Sequence, residues 1–219
     1  MKKEFDKHIQ YHIDNKSHKA FIDDYNYALK KPVKWKIKRF IDISHSLIGI
    51  ILLLPAFVII PILIRKDSNG AAIFKQQRIG LHGKMFTIYK FRTMLYKNKD
   101  TNKVENTNDY RITKFGKFLR KYSLDEIPQL FNILIGDMSL VGPRPMREEL
   151  FKQIQSVEPE YELRIATKPG LRLNIGRTDG GAGPNMAKTE QEYIKNWSLI
   201  SDLKIFLHIV SDVLNGKNY

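Results

Sequence analysis

Leu47 to Ile64 reads LIGIILLLPAFVIIPILI, 18 residues without a charged or strongly polar side chain. This run constrains the fold more than any other feature. Its length meets the lower bound of roughly 17–25 residues for a membrane helix. A core helix of a water-soluble domain would normally keep a polar face, and this run has none. A signal peptide is excluded because 46 mostly polar residues precede it. Pro55 sits near the middle of the run and Pro61 near its end, each removing an intrahelical hydrogen bond. Lys34, Lys36, Lys38 and Arg39 precede it, and Arg65 and Lys66 follow. A crossing helix tends to carry its positive flank on one side only. Positive charge at both ends suits a helix that enters, bends at Pro55 and leaves on the same face, with broken backbone groups satisfied by protein. A bitopic span is the alternative. Trp35, Ile37, Phe40 and Ile41, set among lysines, suit an interfacial segment on anionic lipid.

The chain carries 37 basic against 23 acidic residues, a formal net charge of +14. The excess is focused. Residues 75–121 hold 13 basic and three acidic groups, and a smaller cluster covers 30–39. Two focused patches point to two anionic partners rather than to a nucleic-acid coat. There is no cysteine, so thiolate catalysis and Cys-ligated metal sites are excluded.

Downstream, residues 72–76 and 85–89 read as short strands joined by the Gly80/Gly83 turn. Lys97–Asp109 reads as an exposed loop. Ile112, Phe115, Phe118 and Leu119 share one helical face, with Arg111, Lys114, Lys117, Arg120 and Lys121 around the rest. Ile127–Ile135 reads as an apolar helix stopped by Gly136, and Pro128 puts Asp125 and Glu126 at or just before its N-terminus. Further helices are expected over about 147–156, 189–197 and 202–214. His45 and His208 lie on apolar faces and read as packed or interfacial residues.

Ser123-x-x-Glu126 can be read as a capping box, with Glu126 bonded to the Ser123 amide. The surroundings offer a second reading. The carboxylate pair follows the most basic helix and precedes Val141-Gly-Pro143-Arg144-Pro145, a stiff turn that aims one guanidinium. Arginines and helix N-termini suit phosphate oxygens. A carboxylate can attack phosphorus, and a second can hold Mg²⁺ against a diphosphate.

The ordered set Lys38-Arg39…Asp42, Gln77-Arg78-Ile-Gly80, Lys90-Phe91-Arg92-Thr93-Met94, Arg111-Ile-Thr113, Gly116…Leu119-Arg120, Ser123-Leu-Asp125-Glu126-Ile-Pro128-Gln129-Leu130…Asn132, Gly136-Asp137-Met138-Ser139 and Val141-Gly-Pro143-Arg144-Pro145 strongly resembles the bacterial sugar transferases. These are monotopic phosphoglycosyl transferases that start glycan assembly on a polyprenyl carrier. The resemblance is dense over about residues 34–145 and continues loosely through Lys168-Pro169-Gly170, Tyr193, Asn196-Trp197-Ser198 and Asp202-Leu203.

The resemblance implies transfer of a sugar-1-phosphate from a UDP-sugar to polyprenyl (undecaprenyl) phosphate, with release of UMP. It implies Asp125 as a nucleophile forming a covalent phosphosugar, and Glu126 as the residue tied to Mg²⁺. Arg120 and Arg144 match the family's phosphate-contacting arginines; Lys90, Arg92 and Arg177 are further candidates. Pro55 matches the proline that breaks the family's re-entrant helix, although Leu54 stands where a serine is common. The implied fold class is α/β, mostly helical with a small β-hairpin. The implied organisation is an N-terminal extension (1–33), an interfacial and re-entrant segment (34–66) and a catalytic domain (67–219). That domain is expected on the cytoplasmic face of a bacterial inner membrane. A non-enzymatic, membrane-anchored polyanion-binding adaptor is the alternative from a different class.

One region departs from the family pattern. Where a Pro-Gly-Ile-Thr-Gly stretch is common, this chain reads Pro169-Gly170-Leu171-Arg172-Leu173, followed by Gly176-Arg177 and a Gly-rich segment. Arg172 and Arg177 are candidates for phosphate or sugar contact there, with an ordinary surface loop as the alternative.

Overall fold

The computed structural model describes residues 32–95, 111–172 and 184–214. The expected extension and the 97–109 loop lie outside these residues, as do Arg177 and most of the Gly-rich segment. The described part is mostly helical with a small antiparallel sheet.

Helix α1 (Pro32–Leu52) opens on a proline, which suits a first turn. Helix α2 (Leu54–Asp67) follows after one residue, Leu53, at φ −96° and ψ 10°, and the two axes bend by 61°. Pro55 therefore begins a new helix rather than kinking a continuous one, because its missing N–H costs nothing in a first turn. Pro61 lies inside α2.

Lys38, Asp42, Ser46 and Ile50, spaced four apart, form the buried stripe of α1. Its outward face carries Phe40 (71% exposed), Leu47, Ile48, Ile51 and Leu52 (73%). Val58 (63%), Ile59 and Ile62 continue that surface on α2, whose inward residues are Ile60 and Ile64. A soluble amphipathic helix buries its apolar side. Helix α1 does the reverse, turning two ionisable groups inward and its large hydrophobics outward. No single helix among the described residues is long and apolar enough to cross a membrane, whereas the bent pair together meets that test.

The inward polar stripe has partners. Lys38 Nζ donates to the Val141 carbonyl and to Asp202, which also accepts from Tyr193 Oη (2.7 Å) and Trp197 Nε1 (3.1 Å). Asp42 accepts from Ser139 Oγ and the Leu140 amide, both at 3.0 Å. Trp35 stacks on Trp197 at 4.2 Å. Lys38, read from the sequence as part of a lipid-facing cluster, is thus a core residue, and of the cluster's described lysines Lys34 and Lys36 remain exposed. Removing one partner of a buried pair leaves the other uncompensated, so Lys38→Met should lower unfolding free energy by about 3 kcal/mol. A denaturant titration in detergent checks this through the shift in midpoint.

Strands β1 (Ile73–Ile79) and β2 (Met85–Phe91) pair antiparallel from Ile73↔Phe91 to Ile79↔Met85, joined by a 3₁₀ turn at Leu81–Gly83. They extend the expected hairpin by about two residues. The far edge of β2 is covered by one fully buried amide. Asn132 Oδ1 accepts from the Tyr89 N–H (3.1 Å) and Asn132 Nδ2 donates to the Thr87 carbonyl (2.7 Å). This fixes β2 against helix α4 (Gln129–Ile135). Helix α4 ends at Gly136, φ 102°, in the left-handed conformation that glycine adopts without steric cost. Arg39 Nη1 and Nη2 donate to the carbonyls of Ile133 and Leu134, a cation on the helix's negative end.

Helix α3 (Lys114–Lys121) is capped by Thr113, whose Oγ1 accepts from the Gly116 amide at 2.9 Å. Strand β3 (Ser139–Val141), helix α5 (Glu148–Val157), a 3₁₀ stretch (Pro159–Ala166), strand β4 (Gly170–Arg172), helix α6 (Pro184–Lys195) and helix α7 (Leu199–Leu214) complete the described residues. Strands β3 and β4 pair in parallel, a contact absent from the sequence reading. One core joins β2, α4, β3, α6 and α7 through Ile88, Ile133, Val141, Ile194 and Ile205. A second joins α2, β2 and α3 through Ile60, Ile64, Phe91 and Leu119. Leu130 packs against both. The bent helix pair is therefore built into the domain that carries the charged residues.

Candidate active site

Ser123 lies between α3 and the 3₁₀ turn Leu124–Glu126, at φ 51°. The left-handed region costs a serine about 1 kcal/mol, a local strain that the packing on both sides must offset. The reversal turns Asp125 inward, to 9% exposure, and brings Glu126 beside β2. The capping box does not form. Ser123 makes no side-chain cap, its amide donates to the Arg120 carbonyl, and the Glu126 carboxylate is engaged elsewhere.

Glu126 Oε1 accepts from Lys90 Nζ at 2.9 Å and from an Arg144 terminal nitrogen at 2.8 Å. Lys90 comes from the end of β2 and Arg144 from the proline turn after β3. Burial opposes ionisation of Glu126, but Arg144 and Lys90 outweigh it and hold the carboxyl well below its usual range. Asp125 goes the other way. Its carboxylate accepts no hydrogen bond from a described residue, and burial pushes its pKa up to about 6. Lys90, Arg120 and Arg144 pull that value down, while the Glu126 charge adds to the rise. Two adjacent carboxyls pushed apart in this way are suited to different chemical tasks.

Arg120 is aimed by the segment just after β2, its Nε donating to Thr93 Oγ1 at 2.8 Å. Helix α3 lies so close to this strand end that a Cβ on Gly116 would meet the Thr93 carbonyl oxygen at 2.2 Å. The structure thus brings together Asp125, Glu126, Lys90, Arg120 and Arg144. It places Arg92 elsewhere. That guanidinium donates to the carbonyls of Ser68 and Asn69, both at 2.6 Å, and to Ile64, closing the C-terminal end of α2. Arg92 is a phosphate candidate in the sequence only as a member of the Lys90-Phe91-Arg92-Thr93-Met94 motif, which does not separate its task from that of Lys90. Arg177 lies outside the described residues. Thr93 and Asn132, which position Arg120 and β2, were legible only as motif members without a role.

Among the described residues no three His, Asp or Glu side chains converge as a metal cage. Glu126 instead offers the sparse carboxylate ligation that Mg²⁺ uses when it shares its coordination with substrate phosphates. With Oε1 taken by Lys90 and Arg144, Glu126 retains Oε2 for such a role.

A model of the family described as bacterial sugar transferase matches residues 33–216. The chain is 39% identical over 192 residues to the UDP-glucose:undecaprenyl-phosphate glucose-1-phosphate transferase of Klebsiella pneumoniae, covering 83% of this chain and 41% of the relative. It is 36% identical to the UDP-N-acetylgalactosamine-undecaprenyl-phosphate N-acetylgalactosaminephosphotransferase of Aeromonas hydrophila, covering 86% and 46%. The exopolysaccharide production protein PSS of Rhizobium leguminosarum bv. phaseoli is also 36% identical, covering 84% of this chain and 98% of that protein. The chain thus spans less than half the length of the first two relatives and nearly all of the third. With the match running from the start of α1 to the end of α7, this chain belongs to the bacterial sugar transferase family.

Proposed function

We propose that the protein transfers a sugar-1-phosphate from a UDP-sugar to undecaprenyl phosphate at a membrane surface, releasing UMP. The observation that carries this reading is the buried Asp125 carboxylate, which accepts no hydrogen bond from a described residue and is set among Lys90, Arg120 and Arg144. A nucleophile surrounded by cations matches a diphosphate substrate, whose charge would otherwise repel an attacking carboxylate. The printed activities of the Klebsiella and Aeromonas relatives support the substrate class.

In this mechanism an Asp125 oxygen attacks the phosphorus that bears the sugar. The bond from that phosphorus to the bridging oxygen breaks, and its electron pair leaves with UMP. A phosphate oxygen of the lipid then attacks the aspartyl phosphosugar, and Asp125 departs as carboxylate. Arg120 and Arg144 bind the phosphate oxygens, and Lys90 holds Glu126 in register. Glu126 would hold Mg²⁺, which when bound would neutralise charge on the diphosphate of the substrate as UMP leaves. The two carboxyls keep separate roles because Glu126 is bonded to two cations, whereas Asp125 is bonded to none of the described ones.

The same reading assigns α1 and α2 to the bilayer as a re-entrant pair, supported by their outward hydrophobics and 61° bend. The catalytic residues then face the cytoplasm, where UDP-sugars are available. Since the chain has no cysteine, Lys36→Cys and Lys66→Cys are clean single-thiol probes. Both should react with an impermeant thiol reagent from the same side of sealed vesicles. Labelling from opposite sides would show a spanning helix instead.

The activity is tested by incubating the protein in detergent with undecaprenyl phosphate, Mg²⁺ and a panel of UDP-sugars. UMP release with at least one sugar is expected. No release with any of them would refute the reading.

A further inference from the structure

In the run Val141–Met146 every residue is buried except Arg144. Pro143 and Pro145 fix their own φ and carry no N–H, so the turn can be anchored mainly through its carbonyls. All four from Pro143 to Met146 are held. The Gly170 amide donates to the Pro143 carbonyl (2.9 Å) and the Ile79 amide to that of Met146 (3.0 Å). Arg78 donates to the Pro145 carbonyl at 3.3 Å. Arg164 donates to the Arg144 carbonyl at 2.5 Å.

Arg164 is the unusual member. It lies in the 3₁₀ stretch at 7% exposure, and its guanidinium also reaches Tyr161 Oη, Met146 Sδ (3.2 Å) and Glu190 Oε1 (3.4 Å). Glu190, on α6, is 2% exposed and holds the Arg164 guanidinium. One buried ion pair thus holds the backbone carbonyl of the only exposed residue in the turn, Arg164 directly and Glu190 through Arg164. Burying two charges is expensive, and a hydrophobic pair often serves stability as well or better. A fold need alone therefore does not account for this choice.

We propose that Arg164 and Glu190 are positioning residues that hold the Arg144 backbone and thereby aim its guanidinium at Glu126 and at substrate phosphate. The inference rests on the function proposed above, in which Arg144 binds a phosphate. A displaced guanidinium loses transition-state contact, and misplacement by about 1 Å can reduce rates on the order of 100-fold.

The test is a double-mutant cycle on kcat/KM for UMP release, with melting temperatures recorded for every variant. Arg164→Met should lower kcat/KM on the order of 10- to 100-fold in the otherwise native chain. In an Arg144→Ala background the same change should cost no more than about twofold, because nothing is left to aim. Glu190→Gln, close to isosteric, should show the same dependence on background and serves if Arg164→Met fails to fold. Equal losses in both backgrounds would mean a general structural role and would overturn the proposal. A costless Arg144→Ala in an active enzyme would overturn it as well. A native chain that releases no UMP from any UDP-sugar would fail at the earlier step, refuting the function and this inference together.

Discussion

Asp125→Asn is expected to abolish UMP release, by on the order of a thousandfold or more, while making the protein more stable at neutral pH. The two effects share one cause. Burial raises the Asp125 pKa from 3.8 to about 6, so the folded state binds its proton more tightly than the unfolded state does. Between those values stability falls as pH rises, and at pH 7 the ionised group is a full liability. The shift corresponds to at most about 3 kcal/mol, which the uncharged amide would recover. In the native enzyme activity should fall as pH drops through about 6, since the nucleophile is the ionised form. Melting curves at pH 4 and pH 7.5 check the stability arm: the stabilisation by Asn should be large at the higher pH and small at the lower.

Glu126→Gln should also impair activity strongly, by about 100-fold, but with the opposite effect on stability. Lys90 and Arg144 both lose their carboxylate partner. Hydrogen bonds to charged groups make this a loss of about 2 kcal/mol at neutral pH. The folded Glu126 pKa lies below its ordinary 4.5, so its contribution is present above that value and disappears on acidification. Its charge also raises the Asp125 pKa, so residual activity in Glu126→Gln should have its acid limb at lower pH than the native enzyme. Opposite stability changes at two adjacent carboxyls, with both activities lost, would be hard to reconcile with a polyanion-binding adaptor. For an adaptor, neither carboxylate would matter to function.

Much of this arrangement was legible because its signals are local. Eighteen uncharged residues broken by Pro55 announce a bent apolar helix pair, and Gly80 and Gly83 announce a hairpin. Pro128 and Gly136 bound a short helix and so place Asp125 and Glu126 just ahead of it. What was not legible depends on distant partners. Lys36 and Lys38 look alike in sequence. Only the fold sets Asp202, 164 residues away, under Lys38. Arg39 reads as a membrane-flanking cation and Arg92 as a phosphate contact, yet each closes the C-terminal end of a helix. The capping box was a sound local reading of Ser123-x-x-Glu126, overridden because Lys90 and Arg144 compete for the Glu126 carboxylate. The β3–β4 pairing was hidden because it is short and parallel, and it relies on close approach. A Cβ on Gly170 would meet the Gly142 amide nitrogen at 2.1 Å.

The central claim is that Asp125 carries the phosphosugar between donor and lipid. The most direct measurement is intact-protein and peptide mass spectrometry after incubation with Mg²⁺ and a UDP-sugar that supports UMP release, in the absence of lipid phosphate. A mass increase of one sugar phosphate, located on the peptide containing Asp125, accompanied by a stoichiometric burst of UMP and discharged by added undecaprenyl phosphate, is the predicted result. An active enzyme that releases UMP only when the lipid is present, and whose Asp125 peptide stays unmodified, would contradict it.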